Sequence, residues 1–363
     1  IYIYTNDSPD AGDTFVVPNN EYLLQISRTT KATLKDLTFR YANSLFGDAY
    51  GNNTYRTIGG NAIKITQCME VVIDNCNFYD NNWHGLEVNG CPPPFEGLGE
   101  GNEEFDEAVY RVNHEYTYPI VSMKDCDFER NGIFGYFMTR VINLRVEDCT
   151  FLNNNWRGYN AATMTWACGT VKMMHVHNAF LKGLTSDSNL GKGFWMDSDC
   201  QNMHYVDCSF ENNSYDGVFI ENCEGPVSFY QCDIIDNTQE PLVNQGGIRL
   251  NDLPHGGVTV SVSQKVIVYG GIGANQAEIS GNNYQVYLSR FQRENENERE
   301  TNFRTGWPIP NKPVYNQFIH NTIDYQGQDE YLSGYSVSLD IYRQWLNDWS
   351  LIMGNNITPE PQP

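Results

Sequence analysis

The chain has 363 residues, is 40% hydrophobic and 13% aromatic, and carries a formal charge of −22. That composition can bury a core and is not that of a disordered chain, and no run of about 18 apolar residues offers a membrane span. The acidic balance argues against nucleic acid as a partner, because no basic stripe is present to release counterions.

Strand-like alternation begins at once, in Ile1-Tyr2-Ile3-Tyr4. No signal peptide or initiating Met precedes it, so the sequence is expected to begin inside a larger precursor. One motif then returns along the chain. Val71-Val72-Ile73-Asp74-Asn75-Cys76-Asn77-Phe78 is followed by Val121-Ser122-Met123-Lys124-Asp125-Cys126-Asp127-Phe128. Further copies end in Asp148-Cys149-Thr150-Phe151, Asp207-Cys208-Ser209-Phe210 and Gln231-Cys232-Asp233-Ile234. Asn-rich turns follow most copies, such as Asn153-Asn154-Asn155. A second strand then begins after a glycine, at Gly85, Gly135, Gly158, Gly193, Gly217 and Gly247, with Ala62 in the earliest copy. Ala62 to Gly85 is 23 residues, Gly135 to Gly158 is 23 and Gly193 to Gly217 is 24; the longer steps carry loops.

Short period-2 strands at this spacing are too close for β-α-β units. They fit coils of a parallel β-helix stacked about 4.8 Å apart. The fold class is therefore all-β, a solenoid with loop insertions. Residues 1–291 are expected to form it, with an acidic insertion at 92–119 containing Pro92-Pro93-Pro94. Residues 292–363 are read as a C-terminal extension that caps the stack, with a short helix around Ser338–Leu346.

Alternation assigns the faces. After each glycine the first and third residues point inward: Leu86 and Val88, Tyr136 and Met138, Phe194 and Met196, Val218 and Ile220, Ile248 and Leu250. The second and fourth point outward: Glu87 and Asn89, Phe137 and Thr139, Asn160 and Ala162, Trp195 and Asp197, Phe219 and Glu221, Arg249 and Asn251. A loop at 162–192 is expected to be able to cover Trp195.

Ten cysteines are present. Cys76, Cys126, Cys149, Cys208 and Cys232 share one repeat position, with Asn178 in that slot of the coil between. Equivalent Cα atoms on neighbouring coils lie within disulfide reach, which makes Cys68–Cys91, Cys126–Cys149, Cys200–Cys223 and Cys208–Cys232 candidate bonds. A ladder of buried thiols acting as small apolar residues is the equal alternative. No C-x-x-C pair is present, so no zinc site is expected. N-x-[ST] sequons at Asn6, Asn52, Asn212 and Asn356 are glycosylation candidates, and with the cysteines they point to a secreted, extracellular protein.

Asp197 and Glu221 end consecutive strands on the outer face. One coil of separation puts their carboxyl groups roughly 5 Å apart, the spacing of a retaining glycosidase pair. Trp195, Phe219 and Phe137 beside them could stack on sugar rings, and Arg249 and Asn251 could orient hydroxyls or charge. Asp199, Asp216, Asn160 and Glu87 are secondary candidates. His175 and His177 read as face-lining residues, and His84 and His255 as turn residues.

The stretch Gly193-Phe194-Trp195-Met196-Asp197, then Cys208-Ser209-Phe210-Glu211-Asn212-Asn213, then Gly217-Val218-Phe219-Ile220-Glu221 and Gly225-Pro226, resembles the core of the right-handed parallel β-helix β-xylosidases of glycoside hydrolase family 120. The wider repeat is similar to the pectate-lyase-like superfamily. The resemblance covers about residues 190–250. It implies Asp197 as nucleophile and Glu221 as acid/base. Cys208 departs from it, standing where Asn is usual.

Three functions follow as expectations. The first is a glycoside hydrolase acting on a poly- or oligosaccharide without a cofactor. The second is a polysaccharide lyase or epimerase of the same fold, with Arg249 near a Ca²⁺-held uronate. The third is a non-catalytic glycan-binding or structural protein. Carbohydrate is the expected partner throughout, and self-association is left open.

Overall fold

The structure, a computed structural model, describes residues 22–42, 60–91, 119–156, 169–198, 200–223, 225–237, 256–261, 263, 266–269, 278–280, 284–289, 317–319 and 322–323. One coil shows the plan. Lys192–Asp197, Gln201–Val206 and Ser209–Glu211 are three short strands joined by tight corners. Val218–Glu221, Val227–Tyr230 and Asp233–Ile235 repeat them one coil later. The strands stack on their counterparts in parallel: Phe194 pairs with Val218, Met203 with Val227 and Phe210 with Ile234. In two coils the first two strands run together, as Tyr136–Glu147 and Gly169–Lys182. Those fusions join two of the three faces into one sheet; the third face is separate.

The corners explain the Asn and Asp of the repeat. Ser198 and Asn222 have φ of 44° and 53° at the first corner, Asp207 and Gln231 have 51° and 52° at the second, and Asn212 and Asp236 have 52° and 55° at the third. Short polar side chains that bond their own backbone tolerate this left-handed region better than branched ones.

Inside, each coil position builds a ladder. Phe39, Phe78, Phe128 and Phe151 stack with centroids 5.5, 4.6 and 4.9 Å apart. Asn81, Asn131, Asn154, Asn189, Asn213 and Asn237 form a buried amide ladder. From Asn81 to Asn213 each amide donates to that of the following coil, for example Asn131 Nδ2 to Asn154 Oδ1 at 3.0 Å and Asn189 Nδ2 to Asn213 Oδ1 at 2.8 Å. The same amides donate to strand carbonyls, such as Asn154 to Phe128 O at 2.9 Å, so polar groups inside the stack are satisfied. The inward residues expected from alternation, Leu86, Val88, Tyr136, Met138, Phe194, Met196, Val218 and Ile220, are all buried.

The described cysteines form the thiol ladder and no disulfide. All nine described cysteines are free and buried. Cys68 meets Cys91, Cys126 meets Cys149, Cys200 meets Cys223 and Cys208 meets Cys232. Except at Cys200, their Sγ atoms turn to carbonyls two residues back, as Cys149 to Glu147 O at 3.1 Å and Cys223 to Glu221 O at 3.2 Å. Small apolar packing is what this geometry uses. Asn178 is not in the cysteine slot. It registers with Asn143 and donates to it at 3.1 Å, and Leu184 fills the slot, because Thr185 pairs with Thr150 on one side and Ser209 on the other.

Two coils differ from the glycine alignment. The coil after Tyr136–Glu147 is Gly169–Lys182, with Val171 and Met173 inward and Lys172 outward. Residues expected in a covering loop are thus largely strand, and Gly158-Tyr159-Asn160 lies outside the described residues. The coil after Val218–Glu221 is Gly256–Ser261, not the one at Gly247; Phe219 pairs with Thr259 and Glu221 with Ser261. From the C-terminal stretch, Gln317–Ile319 and Thr322–Ile323 pair onto the stack. The insertion at 92–118 and the expected helix at 338–346 lie outside the described residues, as do Asn6, Asn52, Asn356 and His255. Asn212 is exposed at a corner.

Candidate active site

The site forms on the outer surface of the first face. Trp195 pairs with Phe219 and Asp197 with Glu221 across adjacent parallel strands. Each carboxylate is the last residue of its strand, followed at once by a left-handed corner at Ser198 or Asn222. Ser198 N donates to Glu221 O at 3.1 Å, so the two corners are locked together. One coil of separation brings the acids about 4.8 Å apart at the backbone.

Their surroundings differ. Lys172, one coil earlier, places Nζ 2.9 Å from Asp197 Oδ2. Ser198 donates its hydroxyl to Asp197 Oδ1 at 2.9 Å. Both oxygens of Asp197 therefore meet donors, as an ionised carboxylate requires. Among the described residues, Glu221 has no lysine within ion-pair distance. Burial and the nearby Asp197 charge push its pKa up to about 7, opposed by Lys192, Lys172 and the indole of Trp195. That indole N–H faces Glu221 but completes no full hydrogen bond among the described residues.

Two lysines that the repeat alignment hid are part of this cluster. Lys172 is 3% exposed and Lys192 is 4% exposed. Their ammonium groups lie 3.3 and 4.4 Å from the Trp195 ring centroid. Burial lowers the Lys172 pKa, and Asp197 and Glu221 partly restore it. Trp195 does face outward, but it is 1% exposed; the lysines occupy its surroundings, so it is not an open stacking platform. Phe219 meets it edge-on at 5.7 Å and is half-buried. Phe137, half-buried, registers with Lys172 one coil from Trp195.

Other expected residues lie elsewhere. Glu87 is on the same row, but Phe137 and Lys172 come between it and Trp195, a separation of about 14 Å over three coils. Its carboxylate is taken by Lys64 at 3.1 Å and Asn61 at 2.6 Å. Arg249, Asn251, Asn160 and Asp199 lie outside the described residues. Thr259 and Ser261 hold the register positions expected for Arg249 and Asn251. Asp216 is fully buried and accepts the Thr259 hydroxyl. His84 is buried among Trp83, Phe134 and Phe137, and His175 and His177 lie on the strand Gly169–Lys182. Among the described residues, no group of three or more His, Cys, Asp or Glu is arranged to hold a metal, and no helix is long and apolar enough to cross a membrane.

The sequence signals for the missed lysines were local. Val171-Lys172-Met173 shows the same in-out-in alternation as Phe194-Trp195-Met196, but Thr170 replaces the marker glycine. Lys192 occupies the residue before Gly193, a position that registers with Asp216 one coil later.

Comparison with known proteins gives a family. A solved structure described as "The complex structure of XylC with xylose" is 12% identical with a TM-score of 0.46, over 83% of this chain and 42% of that one. The Azotobacter vinelandii mannuronan C-5 epimerase AlgE4 A-module is 11% identical with a TM-score of 0.38, over 84% of this chain and 73% of that one. The chain thus spans about two-fifths of the length of the first of these. No curated protein matches. The family described as "Right handed beta helix region" matches residues 23–165 and 165–270. With its coils, ladders and parallel faces, the chain belongs to that right-handed β-helix family.

Proposed function

We propose that the protein is a retaining glycoside hydrolase acting on an oligo- or polysaccharide, with Asp197 as nucleophile and Glu221 as acid/base. The observation that carries this reading is the asymmetry of two register-paired acids. Asp197 is charge-paired with Lys172 at 2.9 Å, while Glu221 is pushed up to about 7. A pair whose environments differ in this way divides nucleophile and acid roles.

In the first step an Asp197 oxygen forms a bond to the anomeric carbon as the glycosidic C–O bond breaks. Glu221 gives its proton to the departing oxygen. Asp197 is then a neutral ester, so the charge that raised the Glu221 pKa is gone. Glu221 becomes an ordinary carboxylate held near Lys192 and Lys172, fit to take a proton from water. That water attacks the anomeric carbon and restores Asp197. As proposed, the reaction takes no cofactor, since both roles fall to side chains. A secreted, glycosylated protein fits the exposed position of Asn212.

The test is a screen of aryl glycosides with Asp197→Asn and Glu221→Gln. Each variant is expected to lose about three or more orders of magnitude in kcat, with azide restoring turnover of activated substrates in Glu221→Gln. Activity undiminished in both would overturn the reading.

A further inference from the structure

Trp195 carries one polar atom, and that atom is unsatisfied. Its side chain is 1% exposed, yet Nε1–H has no hydrogen-bond partner among the described residues. Buried donors are seldom left so, and one that is needs a reason. The ring itself is clamped. Lys172, from the coil before, places its ammonium 3.3 Å from the ring centroid, and Lys192, on the same strand, lies at 4.4 Å. Phe219, from the coil after, meets the ring edge-on at 5.7 Å. Ammonium groups against an indole draw on its electron density and make its N–H a stronger donor.

The carboxylates around this donor differ in what they can accept. Asp197 already meets donors on both oxygens, Lys172 and Ser198. Asp216, fully buried and in register with Lys192, balances that ammonium and accepts the Thr259 hydroxyl. The coil after Glu221 places the uncharged Thr259 and Ser261 in register. Glu221 remains. Trp195 pairs with Phe219 and Asp197 with Glu221, so Trp195 and Glu221 are diagonal neighbours, about 8 Å apart at Cα, one coil across and two residues along. An indole and a glutamate side chain together span that distance. While Glu221 holds its proton it is a weak acceptor. Once the proton has gone to the leaving oxygen, a half-buried carboxylate needs donors.

We propose that Trp195 is a positioning residue for Glu221, its indole N–H closing on the carboxylate when Glu221 ionises and letting go when Glu221 is protonated again. The donor thereby holds Glu221 as the base of the second step. This rests on the reading of Glu221 as the acid/base of a glycosidase. It gives Trp195 a task that its burial permits, where stacking on a sugar is closed to it.

The test is the indole N–H resonance of Trp195 in the ¹⁵N-labelled full chain, followed from pH 5 to 9. That resonance is expected to move downfield with a midpoint near the Glu221 value of about 7 and to stay fixed in Glu221→Gln. In Trp195→Phe, which keeps a ring beside the lysines, the alkaline limb of kcat/KM should move up by about one pH unit, about tenfold in the acid constant. A merely structural role would lower kcat and leave the limb in place. An indole resonance that does not follow Glu221, or an unmoved limb in folded Trp195→Phe, would overturn the proposal and leave the glycosidase reading standing. If Trp195→Phe does not fold, the resonance in wild type and Glu221→Gln decides. A titrating indole in a chain that turns over no glycoside would support the Trp195–Glu221 contact and overturn the glycosidase reading alone.

Discussion

Asp197 and Glu221 are register partners on adjacent strands, yet only Asp197 has a lysine within ion-pair distance, Lys172 at 2.9 Å. Two like side chains one coil apart are thereby made chemically different. The difference arises because Lys172 belongs to the coil before Asp197, and no described coil places a lysine in contact on the far side of Glu221. The pair is asymmetric because the stack has a direction.

The first prediction concerns pH. With Glu221 as the acid, kcat/KM should fall on the alkaline side with a midpoint near its folded pKa of about 7. Lys192 lowers that pKa, so Lys192→Gln should move the limb to higher pH. Turnover of the best aryl glycoside across pH 5 to 9 reads this, and an unmoved or acid-shifted limb removes Lys192 as the influence on Glu221.

Lys172→Met should destabilise the fold. It leaves the Asp197 carboxylate, 8% exposed, without its counter-charge, a loss of about 3–5 kcal/mol for a buried pair. Adding Asp197→Asn should recover part of it, because no orphaned charge remains. Urea denaturation of both single variants and the double variant measures the coupling. Additive losses would mean the pair contributes nothing as a pair.

His204 should contribute acid sensitivity. It is fully buried, and burial alone lowers its pKa to about 3. Its ring nitrogens lie 2.6 Å from Ser228 Oγ and 2.9 Å from Asn202 Oδ1. Asn202 Oδ1 can only accept, so neutral His204 donates from Nε2 and accepts from Ser228 at Nδ1. The folded pKa is depressed, so stability is present above the unfolded value of 6.5 and lost as pH falls towards 3. The slope is about 1.4 kcal/mol per pH unit per proton. Glu221 acts oppositely. Its folded pKa is raised, so its contribution is present below 4.5 and lost as pH rises through about 7. In His204→Gln the dependence of unfolding free energy on pH between 6 and 4 should shrink by one proton; a slope equal to wild type would refute the assignment.

Gly193→Ala should damage the stack more than Gly169→Ala. A Cβ on Gly193 would sit 2.3 Å from Gly217 O and 2.8 Å from Asn213 Nδ2, backbone and ladder atoms of the next coil. On Gly169 the nearest atom would be Lys192 O at 3.1 Å. The first change is expected to cost about 3 kcal/mol or more and the second about 1 kcal/mol. Thermal melts of the two variants decide, and equal melting temperatures would contradict the close coil approach at Gly193.

The sequence by itself determined the coil. Period-2 alternation places Phe194 and Met196 inside and Trp195 and Asp197 outside, and the returning cysteine motif with its Asn-rich turn marks where each coil closes. These are properties of a few consecutive residues, so they survive without any knowledge of neighbours. The step of 24 from Gly193 to Gly217 also sufficed to pair Asp197 with Glu221, because no loop intervenes.

Only the tertiary structure decided what stands around that pair. Thr170 replaces the marker glycine, so Gly158 and Asn160 were read into a coil that Gly169–Lys182 forms, and Lys172 went unseen. Gly247 likewise drew the next coil ten residues too early, and Arg249 and Asn251 with it. Across a long insertion the rung that docks is set by which inward row completes the core, and several nearby stretches alternate well enough to compete. The burial of Trp195 and of Lys192 is further still from the sequence, since it comes from side chains of three coils meeting outside the stack.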